Sequence, residues 1–217
     1  MYRRHFIAAC LLACGVGVWA ATAPVKAPVA AKPATILIVG DSLSAEYGLK
    51  RGTGWAALLD QRLQTEKVNA KVVNASISGD TTSGGHSRLP ALLAQHKPTL
   101  VILELGGNDA LRGLPLPMTQ DNLAQMTQLA QKAGAKVLLV GMEVPPNYGA
   151  DYSARFAATF KTVAAANKAA LVPFFLKGVA DVPDAINNFQ PDRIHPKAEA
   201  HPVMLANVWP ELKKLLK

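Results

Sequence analysis

Beyond residue 14 this 217-residue chain contains no cysteine; its two, Cys10 and Cys14, both lie near the N-terminus. The remainder therefore has no disulfide framework, no thiolate nucleophile and no thiolate metal ligand. Charge is sparse at 18% of residues, well short of the polar, highly charged composition of disordered chains. No basic run exceeds two residues, as at Lys213-Lys214, and none is interleaved with aromatics. The formal net charge of +8 and pI near 9.6 thus read as diffuse surface basicity, and no nucleic-acid partner is expected. There is no internal repeat. Half of the residues are apolar, enough for a single compact domain around one core.

Residues 1–20 read as a signal peptide. Arg3 and Arg4 form a positive start, Phe6 to Trp19 an apolar stretch too short to span a bilayer, and Val18-Trp19-Ala20 a small-residue cleavage site. Its removal lowers the formal charge from +8 to +6, by the two arginines. Leu11-Leu12-Ala13-Cys14 is similar to a lipobox, which would make Cys14 a lipid anchor. The apolar run continues past Cys14 to Trp19, which favours simple cleavage and release to the periplasm or medium. Residues 21–34, rich in Ala, Pro, Val and Lys, read as a linker. The domain occupies 35–217.

From Thr35 onward short apolar runs alternate with amphipathic stretches. Thr35–Val39, Lys71–Ala75, Leu100–Leu105 and Val137–Val140 read as strands buried on both faces, with Leu171–Phe174 as a weaker fifth. Helical spacing links Trp55, Leu58, Leu59 and Leu63, and again Leu123, Met126, Leu129 and Ala130. It recurs from Phe156 to Asn167 and from Leu205 to Leu216. Gly134 suits the end of the second of these helices. The alternation predicts an α/β fold with a parallel sheet, whose functional loops lie beyond the strands' carboxyl ends.

Four segments meet that condition. Gly40-Asp41-Ser42-Leu43 comes directly after the first strand and would expose the Ser42 hydroxyl on a strand-to-helix turn, though Ser and Asp also cap helices there. Ser76-Ile77-Ser78-Gly79-Asp80-Thr81 comes after the second. Gly79 could present a backbone N–H, while Asp80 and Thr81 suit the start of the next helix. Gly106-Gly107-Asn108-Asp109 comes after the third, where the Asn108 amide could donate to an oxyanion and Asp109 could cap the next helix. In the last loop, Asp192-Arg193-Ile194-His195-Pro196 sets a carboxylate three residues before an imidazole. Asp192 could then hold the ring while His195 works as general base. Pro196 suits the start of the final helix. Glu104 reads as a structural carboxylate, and His86, His96 and His201 as surface or capping residues.

Taken together, these blocks resemble the SGNH, or GDSL, hydrolase family, and within it the bacterial periplasmic thioesterase, lysophospholipase and arylesterase subgroup. The resemblance covers about residues 35–216. It extends to Gly79-Asp80-Thr81-Thr82, Ala110-Leu111-Arg112-Gly113, Pro145-Pro146-Asn147-Tyr148-Gly149 and Leu171-Val172-Pro173-Phe174-Phe175. It implies a flavodoxin-like three-layer α/β/α sandwich with five parallel strands, Ser42, Asp192 and His195 as catalytic triad, and Ser42, Gly79 and Asn108 as oxyanion hole. It implies no metal and no cofactor.

The expected substrate is a small-molecule acyl ester or thioester, with transient contact to membrane lipids and a monomeric enzyme. Leu111 to Met118, including Leu114 and Pro115, is expected to line an acyl-chain groove, with Tyr148 and Phe189 as further candidates; a rigid connection packed on the core is the alternative. A carbohydrate or short-chain acetylesterase is the nearest rival function, and a non-catalytic envelope-binding domain a more distant one. Two positions depart from the subgroup's usual glycine, Glu46 and Arg193. The added Glu46 charge near Ser42 is expected to be partly offset by Arg193.

Overall fold

β1 (Ala34–Gly40) and β3 (Leu100–Glu104) lie side by side at the centre of a parallel sheet whose order is β2-β1-β3-β4-β5. This computed structural model describes residues 1–2 and 32–217, and residues 32–217 form one unit. The expected signal peptide, apart from residues 1–2, and most of the expected linker fall outside the described residues. β2 (Ala70–Asn74) and β5 (Ala170–Val172) close the edges, and β4 (Lys136–Val140) lies between β3 and β5. Every pairing is parallel.

The side chains of Ile36 to Val39 and of Leu100 to Leu103 are essentially inaccessible, as expected of strands covered on both faces. β2 differs from the expectation: Ala70, Val72 and Val73 are only partly buried, and Lys71 and Asn74 are exposed. An edge strand has a neighbour on one side alone, and apolar composition does not reveal which strand takes that place.

Helices cover both faces. α1 (Trp55–Thr65) packs against α6 (His201–Leu215), whereas α2 (Thr82–His96), α4 (Leu116–Lys132) and α5 (Ala150–Asn167) pack in series. The short α3 (Gly107–Leu111) leads off from β3. The three layers match the α/β/α sandwich that the family resemblance implies. The strand order reverses between β1 and β3, whose ends pair at Gly40 and Glu104, so the connections leaving them part to opposite sides and leave a crevice. Ser42 and Asn108 emerge at that point.

α1 begins at Trp55, the first residue of the expected helical spacing, and residues 42–48 between β1 and α1 form successive turns. Positive φ at Glu46 (61°), Gly48 (68°) and Gly52 (89°) interrupts a right-handed helix. At the other end Pro196 does not open α6; Pro202 occupies the first turn instead.

Candidate active site

The turn after β1 is built by Asp41. Its Oδ1 accepts the Leu43 N–H (3.0 Å), closing a side-chain-to-backbone turn that carries Ser42 at its apex. Below it, the Glu104 carboxylate at the end of β3 accepts from the Ser44 hydroxyl (2.6 Å) and the Asp41 N–H (3.3 Å). The Trp55 indole N–H donates in turn to Ser44 Oγ (3.1 Å). Gly40 has to be a glycine here. A Cβ on it would lie 2.7 Å from Ser44 Oγ and 2.8 Å from Glu104 Oε2.

Burial raises the Glu104 carboxyl well above its ordinary range, and the adjacent Asp41 charge pushes it in the same direction. Burial likewise pushes Asp41 up to about 6, against hydrogen bonds from the Leu43 N–H and Asn108 and the charge of His195. Glu104 is thus the structural carboxylate expected from sequence.

The last loop brings Asp192 and His195 to the same apex. Asp192 Oδ1 accepts the N–H groups of Ile194 and His195 (3.0 Å each), and Oδ2 lies 2.6 Å from His195 Nδ1. His195 Nε2 lies 2.9 Å from Ser42 Oγ. Burial by itself would raise the Asp192 pKa. The hydrogen bonds from His195 and Ile194 outweigh it and hold the group down at about 2.

Gly79, in the left-handed region at φ 79°, and Asn108, at the start of α3, complete the rim. Among the described residues, neither the Ser42 N–H nor the Gly79 N–H donates to a protein group. The Asn108 amide donates to Asp41 Oδ2 (3.0 Å) and to the Asp80 carbonyl (2.9 Å). Gly106 has φ 118°, and a Cβ added to it would lie 3.1 Å from the Phe160 ring.

The expected groove residues lie on separate elements. Leu111 is half exposed at the end of α3, Leu114 is half-buried in the turn after it, and Pro115 is exposed at the start of α4. Tyr148 is half-buried and stacks on Tyr152, with ring centroids 5.9 Å apart. Phe189 packs against the core and bridges to Pro196. A cleft of about 550 Å³ between α1 and β2 involves none of these five; it is lined by Glu46, Arg51, Asp60, Asn74 and Ser76, among others.

Several contributors were not singled out from sequence. Tyr47 lies against the His195 ring, with centroids 4.3 Å apart. Gln190 donates through Nε2 to the carbonyls of Tyr47 (3.0 Å) and Pro196 (3.1 Å). Arg88 on α2 bonds the Ala75 carbonyl, reaches the Gly40 carbonyl (3.4 Å) and pairs with Asp80 (2.8 Å). It thereby ties the ends of β1 and β2 to the Gly79 loop. Asp109 does not cap its own helix. It is fully buried and accepts the Thr82 N–H (2.9 Å) and hydroxyl at the start of α2. The sequence signal for these roles is proximity to a motif, because Tyr47 meets the last loop across 143 positions, Arg88 meets Gly40 across 48 and Asp109 meets Thr82 across 27.

A model of the GDSL-like lipase/acylhydrolase family matches residues 38–203 of this chain. The chain belongs to that family. The esterase TesA of Pseudomonas aeruginosa is 56% identical over 182 residues, covering 84% of this chain and 89% of that protein. The thioesterase 1/protease 1/lysophospholipase L1 of Escherichia coli K12 is 42% identical over 187 residues, covering 86% and 87%. A crystal structure of TesA superposes with a TM-score of 0.80 at 55% identity, covering 83% of this chain and 99% of that one.

Family membership gives the two unusual residues a context. Glu46 and Arg193 have φ of 61° and 60°, the left-handed conformation that glycine adopts without strain. The expected charge offset between them is not what the structure contains. Glu46 turns away from Ser42, and its carboxylate accepts the N–H groups of Gly52 (2.9 and 3.1 Å) and Gly54 (2.8 Å). These donors satisfy its charge locally, and Arg193 stays exposed.

Proposed function

We propose that this protein is an exported serine hydrolase that cleaves acyl esters and thioesters through an acyl-enzyme on Ser42. One observation carries the reading: the unbroken relay from Asp192 through His195 to Ser42, at 2.6 and 2.9 Å, beside two backbone N–H groups without a protein acceptor.

Asp192, ionised across the neutral range, accepts His195 Nδ1–H and leaves Nε2 as the acceptor of the Ser42 proton. Ser42 Oγ attacks the acyl carbonyl carbon while its proton passes to Nε2. The negative charge on the former carbonyl oxygen is met by the N–H groups of Ser42 and Gly79 and by the Asn108 amide proton, which gives up its bond to the Asp80 carbonyl to reach it. The carbon–heteroatom bond then breaks, Nε2–H returns its proton to the leaving alcohol or thiol, and an acyl ester remains on Ser42. Water, deprotonated by His195, hydrolyses that ester and restores the serine.

The names of the relatives, an esterase and a thioesterase/lysophospholipase, support acyl chains as substrates. We assign the acyl groove to Leu111, Leu114, Pro115, Tyr148 and Phe189. Contact with membrane lipids is transient, and the enzyme works as a monomer. Arg3-Arg4 followed by the apolar stretch to Trp19 supports export.

Hydrolysis of p-nitrophenyl esters from acetyl to palmitoyl tests this, with Ser42→Ala in parallel. Turnover on medium and long chains that disappears in Ser42→Ala is expected. Turnover of acetyl esters alone would replace the reading with an acetylesterase, and activity that survives Ser42→Ala would refute the site.

A further inference from the structure

The family motifs do not account for Tyr47. Its side chain is 50% exposed, yet its ring is packed on the His195 imidazole with the planes 34° apart. Two clasps hold it there. Glu46, the residue before it, is anchored to the N–H groups of Gly52 and Gly54. Gln190 lies flat on Gly48, where an added Cβ would fall 2.1 Å from Gln190 Oε1. It bonds the Tyr47 carbonyl with its side chain and the His195 carbonyl with its own N–H (2.8 Å). The loop that carries the ring is therefore tied directly to the segment that carries the imidazole.

We propose that Tyr47 is a positioning residue, whose ring holds the His195 imidazole toward Ser42 and stabilises the imidazolium formed when His195 takes the serine proton. The proposal rests on the reading of His195 as general base. A cation within about 6 Å of an aromatic centroid is attracted to the ring face, and the His195 ring lies inside that distance. The other charged groups facing His195 are Asp192, at Nδ1, and Asp41 beneath Ser42. Both favour the cation as well, so Tyr47 adds to their effect. The neighbouring Arg193 side chain is exposed and has no ion-pair partner among the described residues.

The test is kcat and KM for p-nitrophenyl butyrate across pH in Tyr47→Leu and Tyr47→Phe. Tyr47→Leu is expected to lower kcat roughly two- to thirtyfold, leave KM unchanged, and move the acid limb of the profile to lower pH. Tyr47→Phe, which keeps the ring, is expected to match the wild type within about twofold. Glu46→Ala, which loosens the loop without touching the ring, is expected to lower kcat less, and not at all in a Tyr47→Leu background; it remains informative if Tyr47→Leu folds poorly. Wild-type kcat and an unmoved limb in Tyr47→Leu, or equal losses in Tyr47→Phe and Tyr47→Leu, would overturn the proposal. Either result together with a dead Ser42→Ala would leave the site reading intact, whereas activity persisting in Ser42→Ala would remove the reading itself.

Discussion

Both protons of the Asn108 amide are engaged inside the protein, one by Asp41 Oδ2 at 3.0 Å and one by the Asp80 carbonyl at 2.9 Å. Asp41 grips one proton and fixes the amide plane. The other points at the loop that bears Gly79, where an oxyanion would collect its donors. Asp41→Asn is expected to lower kcat roughly ten- to hundredfold, the worth of a hydrogen bond to a charged group. In an Asn108→Ala background the same change should cost little, because the two residues act as a unit. Steady-state kinetics on the four proteins of this cycle decide it; independent losses would separate Asp41 from Asn108.

The same carboxyl makes activity and stability respond to pH in opposite directions. Burial raises Asp41 to about 6 from an ordinary 3.8, so the fold favours its protonated form. Its contribution to stability is fully present below 3.8 and is lost as pH rises through about 6, amounting to on the order of 3 kcal/mol. The anion is the better acceptor for Asn108, so turnover should fall as pH drops through about 6. Urea unfolding at pH 5 and pH 8 checks the stability half. Asp41→Asn should lose less stability than the wild type on going from the lower to the higher pH.

His201 works the other way. It is buried at the start of α6, and its Nδ1 accepts the Trp55 N–H (3.0 Å) at the start of α1, so it is neutral in the fold. Burial lowers its pKa, against its bond to Pro196 and the charge of Glu46. Its contribution is full above the ordinary value of 6.5 and is lost as pH falls below it. His201→Ala should cost about 2–4 kcal/mol at pH 8, from the cavity and the orphaned N–H. The deficit relative to the wild type should shrink at pH 5. An equal deficit at both values would contradict the neutral assignment.

Glu46 and Arg193 share a φ near 60°, but glycine should act on them with opposite sign. Arg193→Gly relieves left-handed strain and removes an exposed side chain, which should stabilise by up to about 1 kcal/mol. Glu46→Gly relieves the same strain but strips the Gly52 and Gly54 N–H groups of their acceptor, a net loss of about 1–2 kcal/mol. Thermal melts of the two variants should shift in opposite directions.

What could be read from sequence was what depends on neighbours in sequence. β1 and β4 fall within one residue of their expected bounds, because a central strand buried on both faces shows as an uninterrupted apolar run. α2 was signalled only by its Thr81 start; Gly84, Gly85 and Pro90 inside it dilute the helical period. The Asp192–His195 pair is legible because three residues of turn suffice to join them. By contrast, Asp41 meets Asn108 across 67 positions, Ser44 meets Glu104 across 60, and Trp55 meets His201 across 146. No local pattern encodes such pairings. They arise from the strand order that sets β1 beside β3 and α1 beside α6.

The nucleophile and its base are 153 residues apart, and apart from Tyr47 the groups that orient the base lie between Gln190 and Pro196. A ribosome releasing this chain delivers the serine early and the histidine near the end. Until the last loop has left the tunnel and docked on Tyr47, Ser42 is an ordinary alcohol. A chain cut short before Asp192 therefore carries the nucleophile without its base.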